Sequence, residues 1–434
     1  MRISRCLGAA LPTVLACLLL MPAVRAQADD GSSLDVAILD ILKARGIIDD
    51  AQYAELMELA RSRVDRERSE IDLIQGRLER LRAPDLQTEG GTPGKLRWKS
   101  SDGKWSFNLK GRVIGRVEDF NSDDDAGQDD TNFSADFRLN FEGNAGAENV
   151  TYKVELDAPT NKNRVDPATE PAFNLRDAYI NWAFESGANA ELGQFKFPFG
   201  REMLTSSAQT DLMERSIASV QFSPEYEPGA MLWGTAQNGV WEFYAAMANG
   251  EGRSKNNTPG SDLNGLRDGV RVVWNPLGAF KLDGPAFQTM DEETTRIGIG
   301  AAYMVNHDSS GLATATAGQD TETLGLEFQA FTGPVSFLAE NYSRTGDVSG
   351  GPNIDDDGYT LQAGWLFVPN VWEVVARLSA IDFDVADDQQ ETVLGLNYYV
   401  DRHNGKWMVD FSKLNNQGTT PDANRIRLQY QLIF

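Results

Sequence analysis

RIRLQYQLIF, Arg425 to Phe434, keeps a strict two-residue period. Ile426, Leu428, Tyr430, Leu432 and Phe434 are apolar, and Arg425, Arg427, Gln429 and Gln431 between them are polar. Successive side chains of an extended chain point to opposite faces, so this segment has one apolar and one polar side. Wound as a helix, the same residues would scatter around the axis. The length suits a strand crossing a membrane obliquely, which takes about nine to eleven residues.

The same period runs upstream as far as Lys95. Trp105, Phe107, Leu109, Val113 and Val117 alternate with Ser106, Asn108, Lys110, Arg112 and Arg116. Phe133 to Phe141, Val150 to Leu156, Ala178 to Phe184, Ile297 to Tyr303 and Tyr359 to Phe367 repeat the theme. Strands of a soluble sandwich are shorter, about five or six residues. The connections fall into two classes. Gly143–Asn149, Glu185–Ala188, Gln237–Gly239, Thr332–Pro334, Val368–Asn370 and Asp401–Gly405 are short; Asn121–Asp130, Ala158–Pro171, Asn249–Asn264, His307–Asp320, Gly346–Asp357 and Asn415–Ala423 are long and polar. Alternation of short turns and long loops is the pattern of a transmembrane barrel, here an all-β antiparallel barrel of about sixteen strands. Asn275–Thr294 breaks the rule, being long on the short side. Trp98, Trp105, Trp372, Tyr398, Tyr399 and Trp407 lie near strand ends, where interfacial aromatic girdles belong.

Bulk composition agrees. Only 41% of the 434 residues are hydrophobic, and the mean hydropathy is −0.39, too polar for a bundle of membrane helices. Barrel strands escape that test because lipid meets only every second side chain. The net charge of −24 argues against nucleic acid, whose phosphates require Lys and Arg. Much of the acid sits in tracts such as Asp123–Asp125, Asp291–Glu293 and Asp355–Asp357, read as solvated loops with a lesser prospect of cation bridging to lipopolysaccharide.

The N-terminus predicts export. Arg2 and Arg5, an apolar run and the small residue Ala26 make residues 1–26 a signal peptide. Cys6 and Cys17 both lie within it, leaving 27–434 without a disulfide, thiol nucleophile or cysteine metal site. Residues 27–94 predict a periplasmic helical segment and linker, and 95–434 the barrel. Within LDVAILDILKARGIIDDAQYAELMELA two short helices break at Gly46, with Asp49 or Asp50 capping the second. Val64, Ile71 and Leu78, with Ile74 and Leu81, recur every seventh residue, as in a short coiled coil. A single amphipathic helix and an oligomerising stalk both fit, with the stalk slightly favoured.

GQFKFPFGREMLTSSAQTDLMERS, Gly193 to Ser216, abandons the alternation after Phe199. It follows the fifth predicted strand, and a large barrel would fold such a third loop inward as a constriction. The order G-x-x-K-x-P-F-G-x-E, then Ser, then M-E-R-S, resembles the phosphate-selective porin O/P family, as does the whole layout of the chain. Lys196, Pro198, Phe199, Gly200, Glu202, Glu214, Arg215 and Ser216 stand at matching positions, whereas Arg201 replaces a residue more often apolar. The final strand resembles the signature by which bacterial outer-membrane proteins are recognised for insertion. The resemblance implies a Gram-negative outer-membrane location, a homotrimer and a channel for small anions, phosphate or polyphosphate among them.

Passing an anion takes weak cationic contacts at several points, for which the planar guanidinium is suited. By parity Lys110, Arg112, Arg116, Arg138, Lys153, Arg425 and Arg427 point inward, and Lys196, Arg201 and Arg215 belong to the loop. The first and last strands adjoin in a closed barrel, so Arg112, Arg116, Arg425 and Arg427 are candidates for one basic strip. Glu118, Asp136 and Glu155 share those inner faces, and the external loops are acid-rich. A general or cation-preferring pore therefore stays open as an alternative, with a structural envelope anchor behind it. No catalytic residue, cofactor or metal is expected: His307 and His403 are the two histidines, neither beside a nucleophile motif, and no G-x-S-x-G, zinc signature or P-loop occurs.

Overall fold

The computed structural model describes residues 34–59, single positions 61, 62, 65, 69 and 72, and 96–434 apart from 123–129, 160–172, 186, 254–264, 291–293, 308–319, 348–352 and 419–420. The signal peptide at 1–26 and the heptad positions from Val64 to Leu81 lie outside them. The chain divides into two units, 1–83 and 84–434. In the first, α1 (Leu34–Ala44) stops before Gly46, which takes φ +67°. A second helical stretch, 50–59, is capped reciprocally: Gln52 N donates to Asp49 Oδ1 at 2.8 Å and Asp49 N to Gln52 Oε1 at 3.1 Å. Asp49 is thus the cap.

The second unit is built from β1 (Leu96–Lys99), β2 (Ser106–Ser122), β3 (Asp130–Asn144), β4 (Val150–Pro159), β5 (Asn174–Ala183), β6 (Ala188–Lys196), β7 (Tyr226–Ala236), β8 (Trp241–Ala248), β9 (Arg267–Trp274), β10 (Thr295–Asn306), β11 (Asp320–Thr332), β12 (Val335–Asp347), β13 (Ile354–Val368), β14 (Trp372–Asp382), β15 (Asp388–Asp401), β16 (Gly405–Gln417) and β17 (Ala423–Ile433). Each strand from β2 to β17 pairs antiparallel with its sequence neighbour, and β17 returns to β2, with Leu428 opposite Val117. Sixteen strands thus close the barrel. Closure satisfies every strand edge internally, the condition for backbone to stand in lipid. The short β1 pairs with the start of β2, Leu96 opposite Leu109, just where β17 runs out. There Gly111 N donates to Phe434 O at 2.7 Å and Phe434 N to Gly111 O at 2.9 Å.

Side-chain parity follows the sequence period. Along β13 buried and exposed residues alternate without a break from Ile354 to Phe367. On β17 Arg427, Gln429 and Gln431 are buried toward the lumen, while Ile426, Leu428 and Leu432 are exposed outward. The usual order of a soluble protein is inverted: polar groups form the interior and large apolar groups the band that meets lipid. Outward aromatics pair across strands, Trp372 with Tyr398 at 4.7 Å and Trp407 with Tyr430 at 4.6 Å between ring centroids. Tyr399 is not one of them. One residue on from the outward Tyr398, it turns inward and is buried against Phe287.

Candidate functional site: the lumen and its two inward folds

Two connections leave the rim and enter the lumen. The first is the loop 197–225, with α2 (Arg201–Leu204) and α3 (Ile217–Phe222). Phe195 at the end of β6 and the loop's Phe197 and Phe199 are buried with Phe222, Tyr342, Met231 and Met304 in one apolar cluster inside the barrel. Gly200 follows at φ +74°, and a Cβ there would lie 2.4 Å from Ser223 Oγ, so the chain reverses where only glycine fits.

The residues of the Lys196–Ser216 motif build this loop. Glu202 Oε1 accepts from Ser216 N at 3.1 Å, and its Oε2 from Ser216 Oγ at 2.5 Å. Ser216 also caps α3, accepting from Ser219 N at 3.1 Å, and takes Thr360 Oγ1 from β13 at 2.7 Å. Arg377 of β14 donates to Glu202 Oε1 at 3.2 Å, to Glu214 O at 2.8 Å and to Glu391 at 2.9 Å. Lys196 Nζ and Arg215 converge on the last carbonyls of α2: both reach Met203 O and Thr205 O, at 2.7 and 3.1 Å for Lys196 and 3.3 and 2.8 Å for Arg215. Cations there meet the negative end of a helix. Arg201 is fully buried, its Nε 3.4 Å from Glu327 and its Nη1 3.2 Å from Gln329.

Further along, the loop is strapped to the wall formed by β13–β17. Lys406 donates to Thr210 O at 2.8 Å, Asn397 to Asp211 O at 2.7 Å and Gln431 to Ala208 O at 3.0 Å. Burial, with Glu373 and Asp283 nearby, holds the Asp211 carboxyl well above the usual carboxylate range.

The second inward segment is 275–290, within the long connection Asn275–Thr294 at the short-turn end. It carries α4 (Phe287–Met290) and buries Ala286 and Phe287 against Phe331, Leu366 and Tyr399 on the inner wall. Asp283 accepts from Gln329 Nε2 through its carbonyl at 2.7 Å, and its carboxylate lies 2.7 Å from His403 Nε2. Gly284 N donates to Gln209 O of the third loop at 3.0 Å, so the two segments meet inside the barrel. Neither 3.6- nor two-residue periodicity marks this segment, and sequence reading left it without a role.

Together they leave open space against the wall of β3–β8. A cavity of about 290 Å³ is lined there by Arg138, Lys153, Glu155, Asp177, Tyr179, Glu191 and Tyr244 of the wall, Leu204, Ser206 and Ser207 of the loop, and Leu282 of the second segment. Arg112 and Arg138 face each other in register. Both Arg112 terminal nitrogens stand 3.2 Å from Ser207 Oγ, and Arg138 Nη1 stands 2.8 Å from the same oxygen. A hydroxyl oxygen has two lone pairs, so three donors leave one N–H short of a partner. Arg138 has Glu155 and Asp157 each at 3.6 Å, whereas Arg112 has no carboxylate within 4 Å among the described residues.

The other predicted lumen cations are distributed as follows. Lys153 lines the cavity, ion-paired to Asp177 at 2.5 Å. Lys110 pairs with Glu142, and Arg116 with Glu214 of the loop. Arg427 is buried on Asp410 at 2.7 Å, and Arg425 lies 5.1 Å above the Phe120 ring. The strip of Arg112, Arg116, Arg425 and Arg427 is thus interleaved with carboxylates. Ser207 and Arg176 were missed by sequence reading. Arg176 bridges Asp157 at 2.7 Å and Glu225 at 2.6 Å, and parity alone would have turned it outward. A register shift between β4 and β5, at Val154–Leu156, accompanies its inward position.

Comparison with known proteins agrees with this architecture. An uncharacterized protein of Aquifex aeolicus (strain VF5) is 22% identical over 296 residues, 60% of this chain and 68% of that protein. The fold is shared with an anion-selective porin from Comamonas acidovorans (13% identity, 76% of this chain and 100% of that one, TM-score 0.54). It is shared as well with the outer-membrane channel DcaP of Acinetobacter baumannii (14% identity, 78% and 99%, TM-score 0.53). The in-vitro folded OmpT of Vibrio cholerae in its trimer form covers 76% and 99% at 8% identity, TM-score 0.52. The family model of the phosphate-selective porins O and P matches residues 107–434, nearly the whole barrel, and the chain belongs to that family.

Proposed function

We propose that this outer-membrane porin passes small anionic solutes through the passage beside Ser207, with loop 197–225 as the constriction. The observation that carries the reading is the convergence of Arg112 and Arg138 on one hydroxyl, with Arg112 free of any carboxylate partner among the described residues. A solute oxyanion arriving there meets guanidinium donors that the protein leaves under-satisfied. Because Arg138 is held between Glu155 and Asp157, the contact is tempered, which lets the ion leave again. Phosphate is the family's solute and a candidate here. A homotrimer, export by the 1–26 signal peptide and lipopolysaccharide at the acidic rim complete the reading.

The test is electrical. In a planar bilayer under a KCl gradient, the expected reversal potential is anion-directed, and phosphate reduces the chloride current. Glu155, Asp157 and Asp177 on the same wall favour a cation-preferring pore as the second reading. A cation-directed reversal potential without phosphate block would establish that reading instead.

A further inference from the structure

We infer that the passage selects organic anions carrying an apolar body over bare inorganic oxyanions. This rests on the anion reading above and adds the class of solute. The cavity lining is mixed. Arg138, Lys153 and Ser207 line it beside the carboxylates Glu155, Asp177 and Glu191, and Leu204, Leu282 and Tyr244 add apolar surface. A hydrated phosphate gains nothing from two leucines and an aromatic ring. A carboxylate on a ring or short aliphatic chain gains on both sides, because its body leaves water as its charge meets the arginines.

The apolar half is held in place. Leu204 lies between Met203 and Thr205, whose carbonyls are tied by Lys196 and Arg215. Leu282 precedes Asp283, bonded to Gln329 and His403, and Gly284, bonded to Gln209. Tyr244 is stacked on Trp233 at 6.4 Å and donates to Glu242 at 2.9 Å. The backbone that carries Leu204 and Leu282 is thus held on both sides of each residue, and the Tyr244 ring is held by its own contacts. Leu282 comes from the connection that departs from the short-turn rule, so that long connection has a use: it brings an apolar side chain to the cavity beside the third loop.

The experiment is block of chloride current through the full-length porin in a planar bilayer by benzoate, acetate and inorganic phosphate. Benzoate is expected to half-block at about one-tenth the concentration of acetate, equivalent to about 1.4 kcal/mol. Leu282→Ser and Leu204→Ser are expected to bring benzoate close to acetate and leave phosphate block unchanged. The comparison among the three anions on the unaltered protein needs no variant to fold. Acetate and phosphate blocking as well as benzoate would overturn this inference and leave the anion channel standing. A cation-directed reversal potential with no block by any of the three would overturn both.

Discussion

The two halves of the lumen wall carry the same kinds of residue in opposite states. On the side of β10–β17, Arg377 is 1% exposed, Lys406 0% and Arg427 2%, each tied to the third loop or to an acid. On the side of β2–β4, the Lys110 side chain is 39% exposed, Lys153 26% and Arg138 15%, the last two lining the cavity. A buried ion pair adds little net stability, but removing one partner leaves a stranded charge that costs about 3–5 kcal/mol. The buried side therefore works as a clasp that cannot be partly undone. On the water-facing side solvent screens each pair, which on the anion reading proposed above leaves charge for a solute. The lesson is that a count of lumen cations says little about selectivity until those that hold the loop are set apart.

Substitutions on the two sides should separate pore size from pore preference. Arg377→Gln is expected to have the largest effect. It strands Glu202 and Glu391 and removes the bond to Glu214 O, at the cost just given. Single-channel conductance should rise and loop 201–216 should become open to protease, with ion preference moving less. Unchanged conductance in a folded barrel would dissolve the clasp. Gly284→Ala comes next. The new Cβ would stand 1.8 Å from Asp211 Oδ1 and 2.8 Å from Asp211 N, forcing the second segment off the loop. A rise in conductance is expected, along with cysteine-reagent access to a Cys introduced at Gln209.

Arg112→Gln with Arg138→Gln should act the other way, leaving conductance in KCl within about twofold while lowering phosphate affinity about tenfold, the scale of one or two charge-assisted hydrogen bonds. A large conductance change would place these arginines in the clasp. The smallest effect is the pH response of His403. Burial lowers its pKa below the ordinary 6.5, outweighing the hydrogen bond to Asp283. The docked turn thus binds fewer protons than the undocked chain, and docking weakens as pH falls through and below about 6.5. Channel noise should increase on acidification, and His403→Asn should flatten that dependence.

How much of this was legible in the sequence depends on which interactions leave a period. Strand parity does: along β13 and β17 lipid and lumen impose alternate residues, and reading every second side chain recovered the faces. The segment 275–294 left no such trace. Its burial comes from scattered contacts, Phe287 on Tyr399 and Asp283 on His403, made with strands up to more than a hundred residues away. The loop motif posed a different difficulty. Lys196 and Arg215 were visible as cations, but sequence cannot distinguish a cation facing water from one facing the carbonyls of a four-residue helix. Ser207 carried no signal beyond being small and polar, because its importance comes from two arginines on other strands.

The seam between β2 and β17 has a consequence for how the molecule comes to exist. The side-chain bond from Arg116 to Gln429 spans 313 positions of sequence. Partners so far apart join last, because the entropy of closing the ring is recovered only when all the intervening strands are aligned. Until then β2 and β17 are bare edges, able to pair with any extended chain they meet. Gly111 and Phe434 sit at the far end of that seam, where a Cβ on the glycine would come within 2.4 Å of the phenylalanine ring. The last stitch of the barrel therefore packs a ring on a glycine, and a larger residue at 111 would push the terminal phenylalanine out of the seam.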